Sequence, residues 1–116
     1  MNVYIRDNMD DLLEYLRKAK PEVESIIYST GVPIYVDKLL SIIDPNREVF
    51  QHVLYQNACY VFEKKDEDIH FLVKDISRFK NRPLAQSVLM DSRPLNFLLT
   101  PENGYPVVPY TAGFDT

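Results

Sequence analysis

The stretch spanning residues 25–45, SIIYSTGVPIYVDKLLSIIDP, decides the fold class. Ile26-Ile27-Tyr28, the apolar end of residues 23–28, reads as a buried strand. It runs into Ser29-Thr30-Gly31, a small-polar turn. Pro33 suits the first position of a helix, where its missing N–H has no partner to lose. Val36, Leu39, Leu40 and Ile43 make that helix's apolar stripe, and Asp44-Pro45 closes it. Strand, turn and helix form half of a βαβ unit, so an α/β fold is expected. Ligands of open parallel sheets sit at the carboxyl ends of strands, which places Ser29 and Thr30 where chemistry is expected.

Working outward, Asn2 to Ile5 alternates and predicts a short strand. Met9, Leu12, Leu13 and Leu16 fall at i, i+3, i+4 and i+7, the stripe of a helix. Asp7 or Asn8 can cap it, and Asp10 and Asp11 suit the positive end of its dipole. Arg17, Lys18 and Lys20 suit the other end, and Pro21 stops it. Residues 53–62 and 69–73 predict the two arms of a hairpin around the charged cluster Glu63-Lys64-Lys65-Asp66-Glu67-Asp68. Ser87-Val88-Leu89-Met90 predicts a third buried strand, ending in Asp91. Pro106-Val107-Val108-Pro109 predicts a short strand that its prolines confine to an edge.

The chain has 116 residues, which is one domain at most, from 1 to 116. Apolar residues at 46 % and charged residues at 26 % describe a globular chain rather than a disordered one. The net charge of −4 disfavours nucleic acid, whose phosphates need a basic surface. A cationic partner is permitted. The longest uncharged stretch, residues 49–62, is too short for a membrane span and holds Gln, His and Asn. Three aspartates and no apolar run in the first 11 residues exclude a secretory signal or an Arg-rich transit peptide there. From Ser92 onward only Arg93, Glu102 and Asp115 are charged, and five of the eight prolines lie from Pro83 on, so residues 101–116 read as a proline-rich tail.

Cys59 is the single cysteine, which excludes an internal disulfide, and His52, Cys59 and His70 match no zinc spacing. No metal or cofactor is expected. Three glycines, far apart, make no phosphate loop. What stands out is an ordered set: Ser29 after one strand, Lys74 after the hairpin, and Asp91 after another strand. A hydroxyl and an ammonium can hold phosphate oxygens while an acid holds Mg²⁺, the parts of a phosphoryl-transfer site.

The stretches VYIRDNMDDLLEYL, SIIYSTGVPIYVDKLLSIIDP, VLYQNACYVF, FLVKDISRF, VLMDSRP and LLTPENGYPVVPYTAG cover nearly the whole chain. In that order they resemble the haloacid-dehalogenase-like phosphatase domain of RNA polymerase II C-terminal-domain phosphatases. The presequence-receptor subunit of the mitochondrial inner-membrane translocase shares this domain, and the NR of KNRPLAQSVLMD together with LLTPENG looks closer to that branch. The resemblance implies that Ser29 holds a phosphate, Lys74 neutralises it and Asp91 binds Mg²⁺.

The departures point away from catalysis. The family's nucleophile lies in a D-x-D-x-[TV] motif on its first strand, and none of the 116 residues carries that motif. Asp66-Glu67-Asp68-Ile69-His70 comes nearest but ends in His. Asp91 is followed by Ser92 rather than Asp or Asn, and the family's Arg-Glu is Gln56-Asn57. Ser29, Lys74 and Asp91 are therefore expected to be vestigial.

The implied fold is an incomplete haloacid-dehalogenase-like, Rossmann-like parallel sheet with a hairpin insertion at about 53–73. It lacks the family's first central strand and its last helix. That strand would lie between those ending at Ser29 and Asp91, and an upstream segment or another chain would fill the gap by strand addition.

Three functions are implied by the resemblance. One is a non-catalytic mitochondrial, inner-membrane-associated interaction domain of the presequence-receptor type. Its hairpin acids Glu63, Asp66, Glu67 and Asp68 would face cationic presequences. Another is a structural subunit of a large mitochondrial complex, completed by neighbouring protein chains. The third is a phosphoserine/phosphothreonine phosphatase whose nucleophile strand lies outside these residues.

Overall fold

A computed structural model of the chain describes residues 3–111. Its contacts divide the chain into two compact units, residues 1–55 with 110–116 and residues 56–109. One domain was expected over this length.

The first unit begins with α1 (Met9–Lys18), which buries Leu13. Asp10 and Asp11 lie in its first turn and Arg17 and Lys18 in its last, matching the dipole. Asn8 precedes it with φ 67°, left-handed rather than extended, and its side chain makes no capping bond. Val3 to Ile5 do not form the expected strand, and Asn2 lies outside the described residues. The Ile5 carbonyl instead accepts from the Tyr110 hydroxyl at 3.2 Å, and the Arg6 guanidinium sits 5.5 Å from the centre of that ring.

β1 (Ile26–Tyr28) runs parallel to β2 (His52–Leu54), with Ile26 opposite His52. Side chain and backbone both fix this register. The Gln51 amide oxygen accepts from Ser25 N–H at 2.8 Å, and Gln51 N–H donates to the Ser25 carbonyl at 2.9 Å. Between the strands runs α2 (Pro33–Ile43), with Pro33 at its start and Val36 and Leu40 buried. This is the strand–turn–helix read from residues 25–45, now with its second parallel strand.

Asp44 ends α2 and organises the turn leading to β2. Its carboxylate, 3 % exposed, accepts the N–H groups of Glu48 (2.9 Å), Val49 (3.2 and 3.3 Å) and Phe50 (3.1 Å). Buried backbone donors need partners, and here one side chain serves three of them. Burial pushes the Asp44 carboxyl up, but those bonds and the charge of Arg47 outweigh it and hold it below the usual carboxylate range.

In the second unit β3 (Tyr60–Lys64) pairs antiparallel with β4 (Ile69–Val73) around a 3₁₀ turn at Lys65–Glu67. Asp68 closes that turn in the left-handed region at φ 53°. Phe62 and Phe71 are direct partners across the ladder and stack at 4.8 Å. The hairpin is thus shorter than predicted. Residues 52–54 form β2 with β1, and the 3₁₀ turn Gln56–Ala58 interrupts the uncharged run before β3 begins.

β5 (Leu89–Asp91) pairs in parallel with β6 (Gly104–Pro106). The last strand was expected at residues 106–109 and lies two residues earlier, with Val107 N–H extending the ladder to the Asp91 carbonyl at 3.0 Å. Pro109 has no N–H with which to continue it. A Cβ on Gly104 would stand 2.6 Å from the Phe97 ring, so glycine lets the 3₁₀ turn Pro94–Phe97 pack against β6.

The chain is α/β, as read from the sequence, and two of its three pairings are parallel. Rather than one continuous sheet, the described residues make three sheets of two strands each.

Candidate functional site

β4 ends at Val73, which is fully buried, and the next residue is Lys74. β5 carries Asp91 at its own end, anchored by buried Leu89 two residues before. The Lys74 ammonium donates to Asp91 Oδ2 in a direct ion pair, with side chains 12 % and 10 % exposed. Asn96, 2 % exposed on the turn after β5, donates from Nδ2 to the same Oδ2 at 3.0 Å. Arg93 N–H donates to Oδ1 at 2.9 Å. Burial pushes the Asp91 carboxyl up. The Lys74 hydrogen bond and charge, with Arg93 N–H and Asn96, outweigh it and hold Asp91 below the usual carboxylate range.

Of the three positions singled out from the sequence, Lys74 and Asp91 meet. Ser29 belongs to the first unit, directly after β1, where its N–H donates to the Leu54 carbonyl at 2.9 Å and its Oγ accepts from Gly31 N–H at 2.9 Å. That bond back to its own turn is the local role serine commonly takes.

The four hairpin acids Glu63, Asp66, Glu67 and Asp68 are all exposed at or beside the turn. Lys64 pairs with Glu67 at 2.9 Å, both more than half exposed, a contact that contributes little to stability.

Asn96 was not anticipated. Its signal in the sequence is faint: an amide five residues past a strand-ending acid, just after a proline that starts a tight turn. Asp44 was read only as a helix stop, although Asp-Pro followed by a buried valine is compatible with a clasp.

Mg²⁺ needs several oxygen ligands in near-octahedral array. Asp91 Oδ2 already faces an ammonium and an amide, and among the described residues no three His, Cys, Asp or Glu side chains cluster as a metal site. The described residues therefore do not by themselves make a Mg²⁺ site.

A lysine and an aspartate paired at two strand ends of an α/β chain agree with the haloacid-dehalogenase-like class that the sequence resembles. Residues 1–116 match the NLI interacting factor-like phosphatase family, and the chain belongs to it.

It is similar to CTD small phosphatase-like protein 2 of Dictyostelium discoideum, with 36 % identity over 95 residues. That match covers 81 % of this chain and 15 % of the relative. CTD small phosphatase-like protein 1 of Caenorhabditis elegans is 34 % identical over 88 % of this chain and 18 % of its own length. Mitochondrial import inner membrane translocase subunit TIM50 of Candida albicans is 31 % identical over 84 % of this chain and 19 % of its own length. The chain spans less than a fifth of each of these relatives. Among the described residues no helix is long and apolar enough to cross a membrane.

Proposed function

We propose that this domain is a non-catalytic protein-interaction module, working at the mitochondrial inner membrane in the manner of the TIM50-type relatives. The observation that carries the reading is the Asp91 carboxylate, bonded on both oxygens within the protein by Lys74, Asn96 and Arg93 N–H. Ser29, Lys74 and Asp91 then serve as scaffold.

The β3–β4 hairpin is the partner-facing element. It presents exposed Tyr60, Val61 and Phe62 beside the acids Glu63, Asp66, Glu67 and Asp68. A cationic, amphipathic presequence offers the matching chemistry, with attraction that weakens as salt rises. Protein chains of a mitochondrial complex are partners of the same kind. The two parallel pairs, each of only two strands, have edges that a strand of another segment or another chain would pair by strand addition.

A second reading is kept by one observation: the Lys74–Asp91 pair itself, in a family whose matched relatives include proteins named as phosphatases. The deciding experiment uses the full-length protein. Hydrolysis of p-nitrophenyl phosphate and a phosphoserine peptide is assayed with Mg²⁺, alongside binding of a fluorescent cationic presequence peptide at two salt concentrations. Salt-sensitive binding without turnover is expected. Turnover that Asp91→Asn abolishes would establish the phosphatase instead.

A further inference from the structure

Asn103 is the one asparagine in the sequence that precedes a glycine, Gly104. In such a pair the glycine amide nitrogen can attack the asparagine side-chain carbonyl carbon, because no Cβ hinders the approach. Packing fixes both halves of the pair. A Cβ on Gly104 would stand 2.6 Å from the Phe97 ring, so any side chain there must displace the ring. Asn103 Nδ2 donates to the Leu84 carbonyl at 2.7 Å and to the Ser87 carbonyl at 3.0 Å, which takes two N–H donors on one nitrogen. The fold therefore calls for a chemically labile dipeptide.

The same contacts hold the reaction off. Ring closure needs the Gly104 nitrogen stripped of its proton and the Asn103 amide free to turn onto it. That N–H donates to the Pro101 carbonyl, and Gly104 lies opposite Leu89 in the β5–β6 ladder. The amide itself is tied to the turn Leu84–Gln86 and to Ser87. Attack must wait until these bonds open. β5 and β6 pair over only three residues each, and so short an element opens locally at less cost than global unfolding.

We propose that Asn103 is a latent deamidation site, kept closed by the Leu84 and Ser87 carbonyls and reacting only when the start of β6 opens. The Gly104 nitrogen bonds to the Asn103 side-chain carbonyl carbon, and the bond from that carbon to Nδ2 breaks. Nδ2 leaves as ammonia with the proton that Gly104 gave up. Water then adds across one of the two imide C–N bonds, leaving aspartate or isoaspartate, with no change of oxidation state. The product cannot close the clasp again. A carboxylate only accepts, and it would face two carbonyls that also only accept. Isoaspartate also adds a backbone carbon next to Gly104, which spoils its register with Leu89. Each opening of the β5–β6 pair is thus exposed to an irreversible chemical change, whether or not the domain is catalytic.

The test uses the full-length protein, held in mildly alkaline ¹⁸O-water either folded or unfolded in urea. Peptide mass spectrometry follows ¹⁸O entering the new carboxyl at Asn103. Deamidation is expected to be at least about tenfold slower in the folded protein than in urea, as protection by a closed local structure requires. Asn103→Asp supplies the product directly. It is expected to speed amide hydrogen exchange in residues 84–91 and 104–107 while leaving α1 unchanged. Equal deamidation in the two states, or exchange in Asn103→Asp identical to wild type, would overturn the proposal. Should Asn103→Asp not fold, the two wild-type deamidation rates decide alone.

Discussion

Asn96 and Lys74 donate to the same oxygen of Asp91, so one carboxylate ties the end of β4 to the end of β5 and to the turn after it. Removing one member leaves a mostly buried charge or donor unpaired, the costly way to break such a pair. Lys74→Met is therefore expected to destabilise the domain by about 3 kcal/mol. Replacing both partners by apolar groups, Lys74→Met with Asp91→Leu, is expected to recover most of that loss. Urea unfolding of the two variants checks it; equal losses would mean that the pair is not coupled.

The same carboxylate sets part of the acid sensitivity. Its folded pKa lies below the ordinary value, so its contribution is fully present above the unfolded pKa of about 4 and is lost as pH falls through the folded one. Asp91→Asn cannot titrate. Its stability is expected to be lower than wild type at pH 7 and to fall less steeply between about pH 5 and pH 2. Parallel acid limbs for the two proteins would show that Asp91 is not held below its ordinary value.

Asp44 follows the same sign for a different reason, since backbone N–H groups rather than an ammonium hold it down. Asp44→Ala strands the donors of Glu48, Val49 and Phe50 at the entry to β2. We expect a loss of about 2–3 kcal/mol, and faster hydrogen exchange confined to the amides of residues 48–54. Asp44→Asn keeps one acceptor oxygen and should lose less. Exchange that rises evenly over the chain would place the clasp's role elsewhere.

How far the chain could be read in advance depended on the range of the interactions. α1 and α2 were legible because their apolar spacing and end residues are local signals, and β1 because Ile26-Ile27-Tyr28 meets a turn at once. Residues 53–62 misled. Their lack of charge suggested one long arm, but β2 is chosen by the distant β1 through Gln51 and Ser25, and no local pattern reports that. Lys74 and Asp91 were marked by standing after apolar strands. Asn96 escaped because its role exists only where the turn brings it back to Asp91. Ser29 stands where it was placed along the chain, and its hydroxyl serves its own turn.

Gly104 gives a test of packing on β6. A methyl group there would meet the Phe97 ring at 2.6 Å, closer than carbon atoms tolerate, so the ring or the strand must move. Gly104→Ala is expected to cost about 1–3 kcal/mol, the range for overpacking. Phe97→Leu alone loses ring contacts, yet in combination with Gly104→Ala it should cost less than the two changes summed. Additive losses in a thermal-unfolding cycle would mean that the ring swings aside freely.

The hairpin separates stability from binding. Glu63, Asp66, Glu67 and Asp68 are exposed, and Lys64 and Lys65 offset half of that charge locally. Changing Asp66 and Glu67 to Lys should leave unfolding within about 0.5 kcal/mol, as surface substitutions usually do. If the hairpin meets a cationic peptide, the same double change should weaken binding several-fold at low salt and much less at high salt, because exposed charges are screened. Phe71→Ala acts the other way. It removes the partner of Phe62 across the β3–β4 ladder, an aromatic contact worth about 0.5–1.5 kcal/mol beyond the area buried, and should lower stability at every salt concentration. Fluorescence anisotropy of the peptide, run beside thermal unfolding, distinguishes the two. Binding unchanged by Asp66→Lys with Glu67→Lys would move the partner surface away from the acidic turn.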